Sequence, residues 1–167
     1  MSADDRGLHR IKNTMPHRSP ILLVDRVAEV VPGERLTAVK AVSANEPCYA
    51  RIGQDAGPEA YAYPAALTLE SWAQAAVLLS VWEDPNPDVL AGKVELAGSI
   101  NGVEFTGHVY PGELVRHEVR LVKLAGDTAI LAGESFADGR PLLSVASLVV
   151  ALRDVTELRP QPEAVAA

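Results

Sequence analysis

One segment, residues 66–83 (ALTLESWAQAAVLLSVWE), limits the folds open to this chain more than any other. Its apolar side chains run nearly all the way around a helix, a pattern typical of a buried helix rather than a surface helix. Pro64 stands near the start, as a helix N-terminus allows. Because the segment contains Glu70 and Gln74 and has the length of a core helix, we do not expect it to span a membrane.

Strand patterns flank this helix on both sides. Residues 21–31 and 35–43 are rich in β-branched and aliphatic side chains, and Pro32-Gly33 between them predicts a hairpin. After the helix, further strands are predicted over 91–98, 101–109, 113–124, 127–137 and 142–153. Turn formers such as Asn101-Gly102 and Asp138-Gly139 separate them. This order indicates an α+β domain in which an antiparallel sheet of five to seven strands wraps around one helix.

The composition supports one domain that needs neither metal nor disulfides. Of the 167 residues, 48% are hydrophobic and 22% charged, which is enough to bury a core. The single cysteine, Cys48, excludes a disulfide framework, and the net charge of −7 argues against nucleic-acid binding. We predict one domain over residues 1–157 and a flexible tail over 158–167. The N-terminus lacks the apolar stretch of a signal peptide, so a soluble, cytoplasmic protein is expected.

Glu70 is the helix residue that most needs an explanation. It lies one turn into the apolar segment, and Gln74 follows four residues later on the same face. A carboxylate buried among Leu67, Leu69 and Trp72 is costly unless it is paired or used. General acid–base carboxylates need such an apolar setting, whereas the structural alternative turns the side chain to solvent or to the helix dipole. The residues alone leave both interpretations open.

The four histidines carry weaker signals. His9 falls in a start that is expected to be disordered, and His117 alternates along a predicted strand. We expect His17 to brace a turn through a hydrogen bond, and His108 to be a satisfied histidine near the end of a strand. No two histidines have the helical spacing of metal ligands, and no phosphate-binding glycine loop or serine-hydrolase motif occurs. Zinc, nucleotide and serine-hydrolase chemistry are therefore unsupported.

The segment from Met15 to Val27 (MPHRSPILLVDRV) closely resembles the PHR-P-LLVDRV opening of the 3-hydroxyacyl-acyl-carrier-protein dehydratases of the hotdog fold, the FabZ/FabA-like family. Further segments are similar to later motifs of this family: Asn45-Glu46-Pro47, Pro64 to Ala76, and Phe105 to Gly112. The likeness extends over roughly residues 10–153, nearly the whole chain. It implies a hotdog fold, in which the antiparallel sheet wraps around one long central helix.

The resemblance also implies an activity, the dehydration of a 3-hydroxyacyl thioester carried on the phosphopantetheine arm of an acyl carrier protein, without further cofactor or metal. In the family, two protomers pair and each active site lies in a tunnel at their interface. A loop histidine of one protomer removes the C2 proton, and a Glu or Asp on the other's central helix assists the departing hydroxyl. Glu70 matches this carboxylate, and the Ala65 amide matches the one that polarises the thioester carbonyl. Gln74 and Trp72 are further candidates for substrate binding.

The loop before the helix departs from the family pattern. Residues 45–63 are four residues longer than the family's loop and contain no histidine, so the family's catalytic Gly-His-Phe-Pro has no counterpart. His108 lies in a similar-looking Gly-His-Val-Tyr, but that segment aligns with a later strand of the family. We therefore expect His108 to take no part in the reaction.

Three interpretations remain open. In the first, the chain supplies Glu70 to a heterodimeric dehydratase whose related second subunit supplies the histidine. In the second, a homodimer performs altered chemistry, such as isomerisation, or dehydrates with another base. In the third, a non-catalytic hotdog protein binds acyl chains or scaffolds a fatty-acid or polyketide complex. The retained Glu70 favours the first two.

The charge of the chain bears on one expected partner. Acyl carrier proteins are typically acidic, so a chain with a net charge of −7 is a poor general docking surface for them. Arg51, Arg116 and Arg120 are candidates for a local basic patch. The alternative is that the second subunit carries the docking surface.

Overall fold

A computed structural model describes residues 6–158 of the protein. Its six strands are β1 (Arg26–Val31), β2 (Arg35–Ala41), β3 (Lys93–Phe105), β4 (Leu114–Ala125), β5 (Thr128–Ala137) and β6 (Arg140–Asp154). They form one antiparallel sheet in the order β1-β2-β4-β5-β6-β3. The α-helices of the described residues are α1 (Leu8–Thr14) and α2 (Ala65–Ser80). The predicted α+β class, a sheet around one long helix, is confirmed.

The sheet curves around α2 because register shifts interrupt most of its strand pairings. Such shifts occur between β1 and β2, β3 and β6, β4 and β5, and β5 and β6, and a bulge bends its strand and increases the local twist. Gly133 of β5 permits a close approach to β4, since a Cβ there would clash with the Glu118 carbonyl oxygen. Trp72 packs at this point, fully buried, and its indole Nε1 donates to the same carbonyl over 3.4 Å.

Only one side of α2 is fully covered in the single chain. The buried side contains Thr68, Ser71, Trp72, Gln74, Ala75, Ala76, Leu78 and Leu79. The sequence pattern predicts a helix that is buried nearly all the way around, and this is wrong for the single chain, where Leu67, Leu69, Ala73 and Val77 are half-buried. Helical spacing places Ala66, Ala73 and Val77 on the same face as Glu70. No helix within residues 6–158 is long and apolar enough to cross a membrane.

Three elements differ from their predicted form. Residues 8–14 form α1 instead of a disordered start, because Ile11 and Thr14 are buried. The first strand begins at Arg26 rather than at residue 21. Asn101-Gly102 makes no turn: Gly102, with φ 59°, lies inside the continuous strand β3, where an added Cβ would come within 2.6 Å of the Ala146 Cβ.

The predicted tail falls almost entirely on residues 159–167, which lie outside the described residues. Before them, β6 runs into a short 3-10 helix, Val155–Leu158.

β3 forms one edge of the sheet. Among the described residues it pairs only with β6, so its outer edge offers free backbone groups. Leu96, Ile100 and Phe105 are exposed along this strand. A long strand edge with exposed apolar side chains is a template on which another chain can pair.

Candidate functional site

Glu70 lies on the half-buried face of α2, beside the segment that leads into β1. Its Oε1 accepts a hydrogen bond of 2.7 Å from Gln74 Nε2 and lies 3.9 Å from His17 Nε2. The side chains of His17 and Glu70 are 29% and 36% exposed. Of the two interpretations that the sequence left open, the single chain favours a carboxylate that is partnered and reaches the surface over one enclosed by apolar neighbours. Its predicted catalytic role stays a prediction.

Gln74 attaches the segment before β1 to the helix. Its side chain is almost wholly buried. Its Oε1 accepts from the Leu23 amide at 2.9 Å, and its Nε2 donates to the Ile21 carbonyl at 2.6 Å. These bonds satisfy a buried amide and hold the segment against Glu70. In the structure Gln74 positions its neighbours, and its contact with substrate stays a prediction.

The turn that presents His17 is braced by Arg18. The Arg18 guanidinium donates to the carbonyls of Lys12 and Met15, each at 2.9 Å, and to that of His17 at 2.7 Å. The expectation that His17 itself braces the turn by a hydrogen bond is wrong: its Nδ1 is buried and has no hydrogen-bond partner among the described residues. The Met-Pro-His-Arg segment was visible in the sequence, but nothing in it indicated which side chain would do the bracing.

The environment of His17 favours the neutral imidazole. Burial lowers its pKa, the neighbouring Glu70 carboxylate opposes this by raising it, and the Arg18 charge lowers it further. The net pKa lies below the ordinary value of 6.5. Near neutral pH the ring therefore holds a free acceptor nitrogen and lies next to a carboxylate.

His117, on β4, meets the sheet-facing side of α2 and is fully buried. Its Nε2 pairs with Ser71 Oγ and its Nδ1 with Ser135 Oγ, both at 2.8 Å. Burial, aided by the Lys40 charge, lowers its pKa to about 3. A neutral ring with both nitrogens bonded and no exposed surface holds the fold together. His117 lies on a strand whose burial alternates, as the sequence predicted, and the structure places it on the buried side.

The long loop between β2 and α2 is anchored to the core. It contains two short 3-10 helices, Pro47–Tyr49 and Pro58–Tyr61. The Lys40 ammonium lies 2.9 Å from Glu46 Oε1 and 5.2 Å from the centre of the Tyr63 ring, and Lys40 is almost fully buried. Burial is the main cause that raises the pKa of Tyr49 to about 12. The lengthened loop is thus held by one buried ion pair and a cluster of tyrosines.

A pocket of about 220 Å³ lies at the N-terminus of α2. It joins Ala65 and Thr68 of the helix with His108, which follows the end of β3. His108 is exposed, and its carbonyl accepts a hydrogen bond of 3.1 Å from Arg140. The structure therefore places His108, which was expected to take no part in the reaction, next to Ala65, which was predicted to polarise the thioester carbonyl. Trp72, the remaining candidate, faces the core away from open space, and substrate binding by Ala65 or Trp72 stays a prediction.

A larger groove of about 680 Å³ lies on the outer face of the sheet and contains neither Glu70 nor Ala65. Its lining includes Arg116 and Arg120, but glutamates surround them, and Arg116 lies 2.7 Å from Glu118. The groove therefore has mixed charge and is not a basic patch. Within residues 6–158, no three His, Cys, Asp or Glu side chains gather as a metal site needs.

Several known proteins are similar to this chain in sequence or in fold. A family model described as a FabA-like domain matches residues 15–146. The 3-hydroxyacyl-[acyl-carrier-protein] dehydratase FabZ of Symbiobacterium thermophilum is 38% identical over 146 residues, which cover 87% of this chain and 96% of that protein. Among solved structures, the dehydratase heterocomplex ApeI:P from Xenorhabdus doucetiae has a TM-score of 0.70 at 18% identity, covering 89% of this chain and 93% of that one. A hot-dog-like protein from Thermanaerovibrio acidaminovorans has a TM-score of 0.58 at 18% identity, covering 76% and 86%. The predicted hotdog fold is confirmed.

Proposed function

Because the chain belongs to the FabA-like family of hotdog-fold dehydratases, we propose that it is a subunit of a 3-hydroxyacyl-acyl-carrier-protein dehydratase in fatty acid or polyketide biosynthesis. Its substrate is a 3-hydroxyacyl thioester on the phosphopantetheine arm of an acyl carrier protein. The observation that carries this proposal is the setting of Glu70, a half-exposed carboxylate that is held by a buried amide and lies beside an imidazole.

Glu70 acts on the C3 hydroxyl group. When a base removes the C2 proton, the electron pair forms the C2=C3 double bond as the C3–O bond breaks. The departing oxygen takes a proton from Glu70 and leaves as water, and such general acid assistance typically contributes about 10²–10⁴-fold in rate. Gln74 holds the carboxyl group in one orientation, which reduces the reorganisation needed during the reaction.

The N-terminus of α2 supplies a hydrogen-bond donor for the thioester carbonyl. The first amides of a helix have no carbonyl acceptor within the helix. The Ala65 amide is in this position, next to a pocket of about 220 Å³, and is suited to polarise the thioester carbonyl as charge develops on its oxygen. Polarisation makes the C2 proton easier to remove.

A second hotdog subunit completes the site. The Glu70 face of α2 is incompletely covered in the single chain, and the edge of β3 is unpaired there. A subunit that extends the sheet along β3 covers exposed Leu96, Ile100 and Phe105 and forms the tunnel. The loop of residues 45–63 contains no histidine, so we assign the C2 base to a loop histidine of a homologous partner. The likeness to ApeI:P supports the fold only, so the heterodimer rests on this missing histidine.

Docking of the acyl carrier protein is assigned to the partner subunit. Arg35 and Arg116 lie 2.9 Å and 2.7 Å from Glu29 and Glu118, so their charges are locally neutralised. Steering of an acidic carrier protein requires a surface of positive potential. The outer groove of this chain does not provide one.

A homodimer that dehydrates with its own base is the second candidate. The observation that favours it is His17, whose imidazole lies 3.9 Å from Glu70 on the same protomer.

Water elimination from a 3-hydroxyacyl-acyl-carrier-protein is measured with the chain alone, with a homologous subunit that carries Gly-His-Phe-Pro, and with both together. We expect a stable complex that is active, and an inactive chain alone. An equally active chain alone contradicts the heterodimer and supports the homodimer. A complex without activity, at any substrate chain length tested, contradicts the dehydratase proposal.

A further inference from the structure

We propose that His17 is a positioning residue that acts through Glu70, relaying a proton from solvent to the Glu70 carboxylate after each turnover. The juxtaposition that points to this role is the His17 imidazole, 3.9 Å from Glu70 Oε1 and partly exposed. The inference rests on the proposed function, in which Glu70 is the acid of the dehydration.

The reaction creates the need for such a relay. Each turnover leaves Glu70 as a carboxylate, because its proton departs with the hydroxyl as water. The proton from C2 is on a different group, the base, which releases it to solvent. Glu70 must therefore regain one proton before the next substrate reacts. A second subunit that covers the Glu70 face limits direct access of water, and an imidazole between carboxylate and solvent provides a route.

The geometry suits proton exchange rather than a fixed ion pair. A hydrogen bond joins heavy atoms at about 2.7–3.2 Å, so the 3.9 Å between His17 Nε2 and Glu70 Oε1 closes by a small side-chain rotation or by one bridging water. The side chain of His17 is 29% exposed and its Nδ1 is buried, so Nε2 is the ring nitrogen that exchanges a proton with solvent and with the carboxylate. Oε1 also accepts from Gln74, which fixes the carboxyl group while the exchange occurs.

The segment around His17 is built to hold the ring in this place. Arg18 ties the turn through three carbonyls, and Gln74 ties the following residues through two backbone bonds. The ring itself gains no structural hydrogen bond, since its Nδ1 is buried without a partner among residues 6–158. A buried polar atom without a partner is unfavourable, so the ring is not held in place by a stabilising hydrogen bond of its own. His117, by contrast, has both nitrogens bonded.

The neighbouring charges couple the protonation of the His17 ring to that of Glu70. The charged groups that influence the ring are Glu70 on α2 and Arg18 beside it; burial and Arg18 lower the His17 pKa, and the Glu70 carboxylate raises it. Loss of the Glu70 proton therefore raises the affinity of His17 for a proton at the moment when one is required. Return of the proton to Glu70 restores the neutral ring.

The test uses His17→Ala and His17→Gln in the active assembly, with His9→Gln as the matched control. His9 is an exposed histidine of α1. Among the described residues, its ring forms hydrogen bonds only with Asn13. We expect His17→Ala to lower kcat by about 10²-fold, with KM unchanged. Added imidazole buffer should restore kcat in His17→Ala and leave the wild type and His9→Gln unaffected. The first turnover should keep the wild-type rate, because Glu70 reaches proton equilibrium with the solvent before substrate is added, whichever route the proton takes.

Two results overturn the inference. One is an unchanged kcat in His17→Ala. The other is a loss that is equally large in the first turnover and does not respond to imidazole, which indicates a structural role. His17→Gln, which keeps a polar side chain, separates the loss of the relay from misfolding through its Tm. If the wild-type assembly eliminates no water, the proposed function fails and this inference fails with it, whereas an active wild type with an unaffected His17→Ala removes this inference alone.

Discussion

Glu70 and Ser71 are neighbours on α2, yet each meets a histidine in a different environment. Ser71 pairs with His117, which is fully buried and bonded at both nitrogens at 2.8 Å. Glu70 lies beside His17, which is partly exposed, with one nitrogen 3.9 Å from the carboxylate and the other without a partner among the described residues. The two sides of the same helix thus use the same residue type in opposite ways.

The difference shows how a fold divides its polar residues between stability and chemistry. A buried polar network stabilises a protein only when every member is satisfied, which is the state of the Ser71–His117–Ser135 network. A partly exposed imidazole next to a carboxylate is able to exchange protons, as an acid–base site requires. We therefore expect substitutions on the His117 side to affect folding and those on the Glu70 side to affect turnover.

The largest effect on stability is expected for His117→Ala. The substitution leaves a cavity and removes the partner of two buried serine hydroxyls, so the free energy of unfolding should fall by about 3–5 kcal/mol. Urea unfolding measures this, with His9→Ala as a surface control that should change stability by less than about 0.5 kcal/mol. A loss below about 1 kcal/mol for His117→Ala would contradict the structural role.

Gln74→Leu should affect both stability and turnover, because Gln74 is buried and also binds Glu70. The leucine keeps the volume but leaves the Leu23 amide and the Ile21 carbonyl without partners, at a cost of about 2–4 kcal/mol. Glu70 also loses its donor, so dehydration should slow in the folded variant. Urea unfolding and the dehydration assay together test this. Loss of stability with full activity would show that Glu70 does not need Gln74.

Acid should weaken the His117 side in a defined pH range. The pKa of His117 is about 3 in the folded protein, against an ordinary value of 6.5. Between pH 6.5 and 3 the unfolded chain therefore binds a proton at His117 that the folded protein does not bind. The stability contributed by the neutral ring is complete above pH 6.5 and decreases as the pH falls toward 3. The contribution is about 1.4 kcal/mol per pH unit. Urea unfolding on both sides of pH 6.5 should show a weaker dependence in His117→Ala, and equal slopes would refute this origin.

His108→Ala should have the smallest effect. The residue lines the pocket with Ala65, but it is exposed and lies in the segment that aligns with a later family strand. We expect a rate loss well below the 10²-fold that removal of a general acid or base typically costs. Abolished turnover would instead identify His108 as an unconventional base at the helix N-terminus.

The features that the sequence predicted correctly arise from local patterns. The helix around Trp72 and the strand positions follow from residue periodicity, which neighbouring residues impose on one another. Prolines and glycines correctly predicted where most strands and helices end, as in the hairpin at Gly33, where φ is 71°. The turn predicted at Asn101-Gly102 was wrong because a glycine with positive φ also occurs inside a strand where the backbone closely approaches a neighbouring strand.

The features that the sequence did not predict depend on contacts between distant residues. α1 has seven residues, too short to be stable alone, and owes its form to the burial of Ile11 and Thr14. His17 and Glu70 meet because Gln74 binds the backbone of residues that precede it by 51 and 53 positions. No period or spacing in the sequence encodes that contact. The open face of α2 was also missed, since an apolar pattern does not distinguish burial within a chain from burial by a second chain.

The proposed dehydration depends on Glu70 as its acid, and the substitution Glu70→Gln removes that acid. Glutamine keeps the shape and the hydrogen bond with Gln74 but has no ionisable proton. Measured in the active assembly, with Glu83→Gln beyond the end of α2 as the control, Glu70→Gln should leave assembly and Tm unchanged. It should slow water elimination by about 10²–10⁴-fold. A Glu70→Gln assembly that dehydrates at the wild-type rate would show that Glu70 is not the acid of the reaction.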